Sequence, residues 1–298
     1  MVGARSPLQR KRIEQALARQ DQAYLGEAER FASRYAAFLR SRGQGLADAV
    51  DAYLQLCSTI RRCQVDFLRT GRYPTASQDD AVERVYASPR TMAPYMIGLA
   101  LSQFLWPAHY ALFRFFAAAL REFGPGIDNY LEVGPGHGLF LDRALEEIGR
   151  AVNVTVVDIS PTSLELTRAV MARFRPQLSG VRYVAGDVLQ MHLNERFDFI
   201  TMGEVLEHVA DPQALLHWLH DALTDRGHTF VSTCANCPAP DHLVQFNSVD
   251  EIRAQFRQAG LAMVRELALA AEDMSVEEAL ARRVTVNYCA ILKRHEPI

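Results

Sequence analysis

Lysine is almost absent from this chain of 298 residues. Lys11 and Lys293 are the only two, so nearly all cations are arginines, and the formal net charge is -3. The one basic block, Arg10-Lys11-Arg12, falls in a predicted N-terminal helix and is typical of a solvated helix face. A net-negative chain without a basic stripe argues against a nucleic-acid partner.

Long uninterrupted apolar runs are also missing. The first thirty residues are charged and carry no apolar core, which predicts that there is no signal peptide. The most apolar stretch, residues 92–120, is interrupted near its middle by Gln103, Pro107, His109 and Arg114, where polar groups and helix breaks are costly in lipid. We therefore expect a buried helix pair, no membrane partner and a cytoplasmic protein.

Cysteine is scarce and occurs in an odd number: Cys57, Cys63, Cys234, Cys237 and Cys289. In a chain with no predicted secretion signal, this count indicates reduced thiols rather than a disulfide framework. Cys234 and Cys237 have C-x-x-C spacing, but neither a second pair nor a histidine cluster completes a zinc site in the sequence. We therefore expect no structural or redox role for this pair.

The first 125 residues show helical periodicity and no strand pattern. A single long helix is predicted over residues 7–40, and further helical segments are predicted over 46–68, 79–87 and 94–123. Ser88-Pro89 closes the third of them, and Pro107 either kinks the fourth or divides it into two abutting helices. This part of the chain, residues 1–125, is therefore predicted to be an all-helical cap.

After residue 126 short apolar runs alternate with helical segments. Predicted strands cover 129–133, 153–158, 181–185, 197–202, 228–233, 261–268 and 283–293. Predicted helices cover 138–148, 161–174, 211–223 and 249–259, the last opened by Ser248 and Glu251. Because parallel strands need crossovers of about a dozen residues, this alternation predicts an α/β domain over residues 126–298, with a parallel sheet and helices on both faces.

The stretch Y-L-E-V-G-P-G-H-G-L-F (130–140) predicts a strand, a tight turn and a helix. Glycines such as Gly134, Gly136 and Gly138 let the backbone take positive φ, and the N–H groups of the following helix point at a closely approaching ligand. Similar turns also occur as plain loops. Whether this turn binds a ligand must therefore be judged from the residues that follow the other predicted strands.

Polar residues follow the next strands as well. Ligands of open α/β sheets bind beyond the carboxyl ends of the strands. Asp158 ends the second predicted strand and suits the two hydroxyls of a ribose. Asp187 follows the third strand, where a carboxylate suits an exocyclic amine, and Gly203-Glu204 ends the fourth.

Taken together, these motifs resemble the class I S-adenosylmethionine-dependent methyltransferases. The resemblance rests on E-V-G-P-G-H-G (132–138), on Asp158 as the ribose acid, on Asp187 as the adenine-side acid and on F-D-F-I-T-M-G-E-V-L-E-H-V-A-D-P (197–212). It covers residues 127 to about 293. The G-x-G-x-G spacing also differs from the G-x-G-x-x-G of nicotinamide enzymes. The resemblance implies a Rossmann-like sheet flanked by helices and S-adenosylmethionine as cofactor.

The resemblance also implies a set of cofactor-binding residues: Glu132, Gly134, Gly136, Gly138, Asp158, Ile159, Asp187, Val188, Gly203 and Glu204. Glu132 and Asp158 would supply carboxylates to an ammonium group and to hydroxyls. Because the sulfonium is itself activating, catalysis needs mainly an aligned nucleophile. A base contributes only if the nucleophile is protonated.

The segment Glu204-x-x-Glu207-His208 is similar to the fourth motif of ubiquinone-type O-methyltransferases and of small-RNA 2′-O-methyltransferases, where such residues can hold a divalent metal. If these residues converge with His242, they form a site able to lower a hydroxyl pKa. The structural alternative is that His208 only caps or packs a short helix. We name His208, His242, Glu204 and Tyr95 as candidate catalytic residues and assign no metal, leaving open whether this cluster binds one.

The cap carries aromatic and polar groups within an apolar helical stretch: Tyr86, Tyr95, Gln103, Trp106, His109 and Tyr110. They suit a small-molecule pocket, or they are core residues with satisfied polar tips. A lid of this kind sets access to a site and excludes water. The cap is therefore where we expect substrate specificity to lie.

The predicted function is methylation of a small-molecule metabolite at oxygen, nitrogen or an acidic carbon, with secondary metabolism as one setting. An alternative is an enzyme of the same fold that cyclises or transfers the aminocarboxypropyl arm and releases methylthioadenosine. It stays open because Gly203-Glu204-Val205 stands where an amine-methylation signature, D/N-P-P-Y, would follow the fourth strand. An inactive cofactor-binding partner and a tRNA or protein substrate have less support, and a homodimer is left open.

Overall fold

The computed structural model describes residues 1–75, 77, 89–191, 193 and 195–295. Within these ranges, six α-helices precede the first strand: α1 (Val2–Arg5), α2 (Pro7–Leu17), α3 (Gln22–Ser41), α4 (Leu46–Thr70), α5 (Pro89–Leu105) and α6 (Pro107–Phe123). The predicted helix over 79–87 and its closing Ser88 lie outside the described residues. Among the described residues before 126 there is no strand, as predicted.

The single helix predicted over residues 7–40 is wrong, because the chain forms α2 and α3 there. The Asp21 side chain accepts a hydrogen bond from the Tyr24 backbone N–H at 2.8 Å and caps α3. Such a cap requires extended backbone at the capping residue, which ends any continuous helix. The apolar spacing continued across the break and gave no sign of it. At Pro107 the chain divides into α5 and α6, the second of the two predicted arrangements.

A seven-stranded sheet follows, with strands in the order β3-β2-β1-β4-β5-β7-β6. The strands are β1 (Asn129–Val133), β2 (Asn153–Asp158), β3 (Arg182–Ala185), β4 (Phe197–Gly203), β5 (Leu223–Ala235), β6 (Leu261–Ala270) and β7 (Val286–Arg294). Strands β1 to β5 pair in parallel, but β7 lies antiparallel between β5 and β6. The parallel sheet predicted from the first five strands is therefore confirmed, and the two strands predicted after residue 260, whose direction the sequence left open, add an antiparallel edge.

Helices cover both faces of the sheet, as predicted. They are α7 (Leu139–Ile148), α8 (Pro161–Phe174), α9 (Pro212–Ala222), α10 (Val249–Gln258) and α11 (Val276–Ala281). One core joins α6, α7 and α8 to Tyr130, Phe199 and Phe230, and the other joins α9 and α10 to Leu131 and Ile200. The six-residue α11 was not predicted. The two cores lie on the two faces of the sheet, and the carboxyl ends of its parallel strands are where a ligand is expected.

Helices α5 and α6 form the buried pair expected from the apolar stretch. Phe116 of α6 is fully buried, and its ring centroid lies 4.9 Å from that of Phe230 in β5. Within the described part of the chain, no helix has the length and apolarity needed to cross a membrane.

A charged network ties α3 to the helices of the sheet. Arg34 donates to both carboxylate oxygens of Asp142, at 2.9 and 3.1 Å, and to the Phe174 carbonyl at 3.0 Å. Arg175 adds a bond from Nε to Asp142 at 2.7 Å. The Asp142 carboxylate is nearly buried and accepts hydrogen bonds from both arginines, so it joins them in one network.

We expect Asp142→Ala to lower the free energy of unfolding by about 2 kcal/mol, because three charge-assisted hydrogen bonds lose their acceptor while both arginines keep access to water. Urea unfolding checks this value. Asp66→Ala is the matched control: its ion pair with Arg69 is exposed at both ends, so it should change stability by less than about 0.5 kcal/mol. Equal effects of the two substitutions would show that the network does not hold α3 in place.

Candidate active site

A cavity of about 870 Å³ opens at the carboxyl ends of the parallel strands and extends beneath the cap helices. On the sheet side it is lined by the glycine turn, by Asp158 and Asp187, and by the residues that follow β4 and β5. On the cap side it is lined by side chains of α2, α4 and α5. The predicted edge of the sheet and the predicted cap therefore face one shared space.

The glycine turn adopts the backbone that the sequence predicts. Gly134, Gly136 and Gly138 have φ values of 67°, 54° and 75°. A Cβ on Gly134 would lie 2.6 Å from Val205 Cγ2, and one on Gly136 would lie 3.3 Å from Met96 Sδ in α5. The turn is thus closed in by the β4 loop on one side and by the cap on the other.

Gly134→Ala should destabilise the protein by about 1–2 kcal/mol, because a left-handed backbone is unfavourable for alanine and the added Cβ would also collide with Val205. Thermal unfolding measures this loss. Gly126→Ala is the control, since its added Cβ would meet no atom within 4 Å and its φ is not positive. A Gly134→Ala protein as stable as the control would mean that the turn relaxes without strain.

Glu132 lies at the base of the turn and lines the cavity, yet it is 2% exposed. The Tyr130 hydroxyl lies 2.9 Å from its Oε2, to which it donates, and 2.8 Å from Thr201 Oγ1. Burial raises the pKa of Glu132 to about 8. A cationic group placed beside this carboxyl would favour its ionised form, and the resulting carboxylate would in turn attract that group.

Asp158 is held at the end of β2 by the start of α8. Its Oδ1 accepts from the Ser160 N–H and its Oδ2 accepts from the Ser163 hydroxyl, both at 2.7 Å. Burial raises the pKa of Asp158 to about 6, against the opposing effect of these hydrogen bonds. The next residue, Ile159, also lines the cavity and is 40% exposed.

Asp187 and Val188 line the cavity beyond β3. Asp187 Oδ1 accepts from the Leu189 N–H at 2.9 Å and caps a short 3-10 turn over Val188–Gln190. Val188 is buried. An apolar side chain and a carboxylate therefore lie side by side, as the predicted adenine site requires.

Gly203 ends β4 and Glu204 follows it, and both residues line the cavity. Glu204 has a φ of 52°, a left-handed conformation that non-glycine residues rarely adopt. Its backbone N–H lies 3.0 Å from the Ser232 carbonyl and 3.1 Å from Ser232 Oγ, both of which accept from it. Burial and the neighbouring Glu207 raise the pKa of Glu204 well above its usual range. Strain of this kind concentrates at functional sites.

Glu207 follows in a short 3-10 turn, Leu206–His208, and is completely buried. The Thr233 hydroxyl donates to its Oε2 at 2.8 Å. Its Oε1 has no hydrogen-bond partner within the described ranges and lies 3.9 Å from His208 Nε2. Burial raises the pKa of Glu207 to about 7. A buried carboxylate oxygen without a donor is expensive unless a proton or a cation reaches it.

His208 and His242 meet edge to face, with ring centroids 4.7 Å apart. His208 Nδ1 lies 3.0 Å from the Asp241 carbonyl, and His242 Nδ1 lies 2.6 Å from the Cys237 carbonyl. Because carbonyls only accept, these contacts assign a proton to each Nδ1, so Nε2 is the nitrogen that carries the lone pair in the neutral ring. Burial, with a smaller contribution from His208, lowers the pKa of His242 to about 4.

The predicted catalytic residues therefore do converge. Ligand atoms of Glu207, His208 and His242 lie within 4.8 Å of one another, and Glu204 forms a second such set with Glu207 and Cys234. Tyr95 reaches the same region from the cap, where its hydroxyl donates to Asp241 Oδ1 at 3.4 Å. His208 does lie in a short helical turn, as the structural alternative proposed, but it also faces the cavity.

The six cap residues divide between the two predicted roles. Tyr95, Gln103, Trp106 and His109 line the cavity. Two of them also bond to each other, since Gln103 Nε2 donates to the His109 carbonyl at 2.7 Å. Tyr110 is a core residue whose hydroxyl donates to Glu27 at 3.0 Å. Tyr86 lies outside the described residues.

Sequence reasoning missed the histidine beside Cys234 and Cys237. His242 joins both thiols in a group of ligand atoms within 4.8 Å, and its Nδ1 lies 4.0 Å from Cys234 Sγ. The spacing C-x-x-C followed by a histidine five residues later was visible in the sequence. A single histidine is a weaker zinc signal than a second cysteine pair or a histidine cluster, so the sequence alone did not indicate this group.

Comparison with known proteins agrees with this geometry. The methyltransferase domain family matches residues 107–266, more than half of the chain. A ubiquinone biosynthesis O-methyltransferase of Pseudomonas aeruginosa is 27% identical over 187 residues, which are 55% of this chain and 77% of that enzyme. Nodulation protein S of Sinorhizobium fredii is 28% identical over 178 residues, covering 58% of this chain and 71% of that protein.

A solved structure has the same fold. The N-methyltransferase NodS of Bradyrhizobium japonicum WM9, in complex with S-adenosyl-L-homocysteine, superposes with a TM-score of 0.52 at 18% identity, covering 73% of this chain and 100% of that one. The glycine turn, the acids at the strand ends and the family match lead to one conclusion. The chain belongs to the class I S-adenosylmethionine-dependent methyltransferases.

Proposed function

We propose that this enzyme transfers the methyl group of S-adenosylmethionine to a hydroxyl of a small, largely apolar molecule. The observation that carries the proposal is the position of His208. Its Nδ1 is held by the Asp241 carbonyl, and the residue faces a cavity that joins the glycine turn to the cap. A hydroxyl must lose its proton during methyl transfer, and an imidazole with a lone pair at Nε2 can accept it.

The proposed cofactor site uses the residues at the strand ends. Glu132 would face the ammonium group, and Asp158 would accept from the ribose hydroxyls. Ile159 and Val188 would flank the adenine ring, with Asp187 near its exocyclic amine. All five side chains line one cavity, and their order along the sheet edge follows the order of these groups in the cofactor.

Cofactor affinity should then depend on pH. Burial raises the pKa of Asp158 to about 6, and ribose hydroxyls donate best to its ionised form. Asp158 is ionised above pH 7, so its contribution is constant there. Affinity should fall by up to about tenfold per unit as the pH drops below 6, since binding must first remove a proton. Calorimetry from pH 5 to 8 measures this slope, and Asp158→Asn should lose this part of it.

We propose that the first 125 residues act as a cap that selects the acceptor. Met92, Leu99, Leu105 and Trp106 line the cap side of the cavity, so an acceptor with an aromatic or aliphatic body is favoured. Tyr95 links α5 to the segment that holds His208, through its bond to Asp241. The acceptor would thus lie between the methyl donor and α5.

The deciding assay supplies S-adenosylmethionine with an isotopically labelled methyl group, together with panels of phenols, aliphatic alcohols and amines. The expected products are S-adenosylhomocysteine and the labelled methyl ether of a phenol or an alcohol. Methylthioadenosine would instead favour the aminocarboxypropyl alternative, and labelled amines alone would reject hydroxyl methylation. The Asp158→Ala protein is the matched control for any product formed without the proposed site.

A further inference from the structure

Two thiols and an imidazole meet at the end of β5. Ligand atoms of Cys234, Cys237 and His242 all lie within 4.8 Å of one another. Cys234 and His242 are buried, and Cys237 is partly exposed and lines the cavity. The proposed role of His208 as a base uses neither thiol. The proximity of the two thiols to His242 therefore needs another explanation.

The distances suit a tetrahedral metal. Zinc binds thiolate sulfur at about 2.3 Å and imidazole nitrogen at about 2.0 Å, so neighbouring ligand atoms in such a site lie roughly 3.5–4 Å apart. Cys234 Sγ and His242 Nδ1 lie 4.0 Å apart, close to this spacing before any adjustment. The C-x-x-C pattern is also a common way of placing two thiolates on one zinc ion.

A fourth donor is already aimed at the same place. Glu207 belongs to one compact set with His242 and to another with Cys234. Its Oε1 is one of two buried side-chain oxygens without a hydrogen-bond partner among the described residues, the other being the Tyr35 hydroxyl, and the Glu207 side chain is 0% exposed. An independent feature of the structure, an unsatisfied carboxylate oxygen, therefore points to a cation here.

We propose that Cys234, Cys237 and His242 bind a soft divalent cation of the zinc class, with Glu207 Oε1 as the fourth ligand. Binding forms two metal–thiolate bonds and releases both thiol protons to solvent. His242 would give up the Nδ1 proton that it donates to the Cys237 carbonyl, take up a proton at Nε2 and coordinate the cation through the Nδ1 lone pair as a neutral imidazole. The sulfur donors favour zinc, cadmium or cobalt over magnesium.

Such a site would act on the catalytic cluster by fixing the chain after β5. Cys237 and His242 enclose the segment that carries Asp241, whose carbonyl accepts from His208 Nδ1. The cap touches the same segment, because the Cys237 backbone N–H donates to the Tyr73 hydroxyl at 2.7 Å. The bound cation would therefore position His208 without contacting the acceptor.

The test replaces the cation with Co²⁺ in the full-length protein and records its absorption spectrum. One cobalt per chain with a thiolate-to-cobalt charge-transfer band in the near ultraviolet is expected. The band should disappear in the Cys234→Ser/Cys237→Ser protein, with zinc affinity reduced by about 100-fold or more, since even indirect partners of metal ligands contribute 10–100-fold. Glu207→Gln should keep the band but weaken binding.

Cys63→Ser is the matched control, because this partly buried cysteine of α4 belongs to none of the three donor sets. It should keep the band and the affinity. Circular dichroism of each metal-free variant shows whether it is folded, so loss of the band is not mistaken for unfolding. Failure to bind zinc or cobalt, a cobalt spectrum without the band, or a band that survives the double substitution would each overturn the proposal. None of these outcomes depends on methyl transfer.

Discussion

Replacing Asp158 with alanine should weaken binding of S-adenosylmethionine about 100-fold. The proposed bonds from two ribose hydroxyls to an ionised carboxylate contribute about 1.5 kcal/mol each at the lower end of the range for charged acceptors, together about 3 kcal/mol, which corresponds to a factor of about 100–200 in Kd. Isothermal titration calorimetry measures the change directly. The unliganded variant should also be somewhat less stable, because the Ser160 N–H and the Ser163 hydroxyl lose their acceptor.

Ser163→Ala separates these two effects. It removes one of the internal hydrogen bonds of Asp158 and leaves the carboxylate in place. Cofactor affinity should then change only a few-fold, while thermal unfolding without cofactor shows a loss comparable with part of that in Asp158→Ala. If Ser163→Ala weakens binding as much as Asp158→Ala does, the aspartate acts by shaping the start of α8, and its assignment to the ribose is wrong.

The cofactor side of the site could be predicted because each of its residues ends a strand or begins a helix. A glycine turn after β1 and an acid at the end of β2 are local features, and sheet topology then brings them to one edge. Gly134 and Asp158 therefore appear where the sequence placed them. The same local logic identified β1 to β5 and the helices between them.

The remaining features depend on contacts between distant segments. The break before α3 is set by the side-chain cap from Asp21. The antiparallel direction of β7 is set by its pairing with β5 and β6 at the edge of the sheet. Periodicity records neither of these. The meeting of His242 with Cys234 depends on how the chain folds back after β5, so the spacing alone could not show that a histidine completes the thiol pair.

Replacing His208 with alanine should lower kcat by about 10²–10⁴-fold while cofactor affinity stays within a few-fold of the wild-type value. This factor is the rate contribution of a general base, which the reaction needs because the hydroxyl of the proposed acceptor keeps its proton until methyl transfer. Rapid-mixing kinetics with a saturating acceptor separates this effect from slow product release. His217→Ala is the control, since that histidine is exposed on α9 and does not line the cavity, and its kcat should be unchanged.

A series of phenols with different acidities gives the sharper result. An acceptor that is already ionised needs no base, so the deficit of the His208→Ala enzyme should shrink steadily as the acceptor pKa falls. A residue that only packs the short turn after β4 would lower kcat by the same factor for every acceptor. A deficit independent of acceptor pKa would therefore remove His208 from the chemical step, even if kcat falls a thousandfold, and would leave it the structural role of its helical turn.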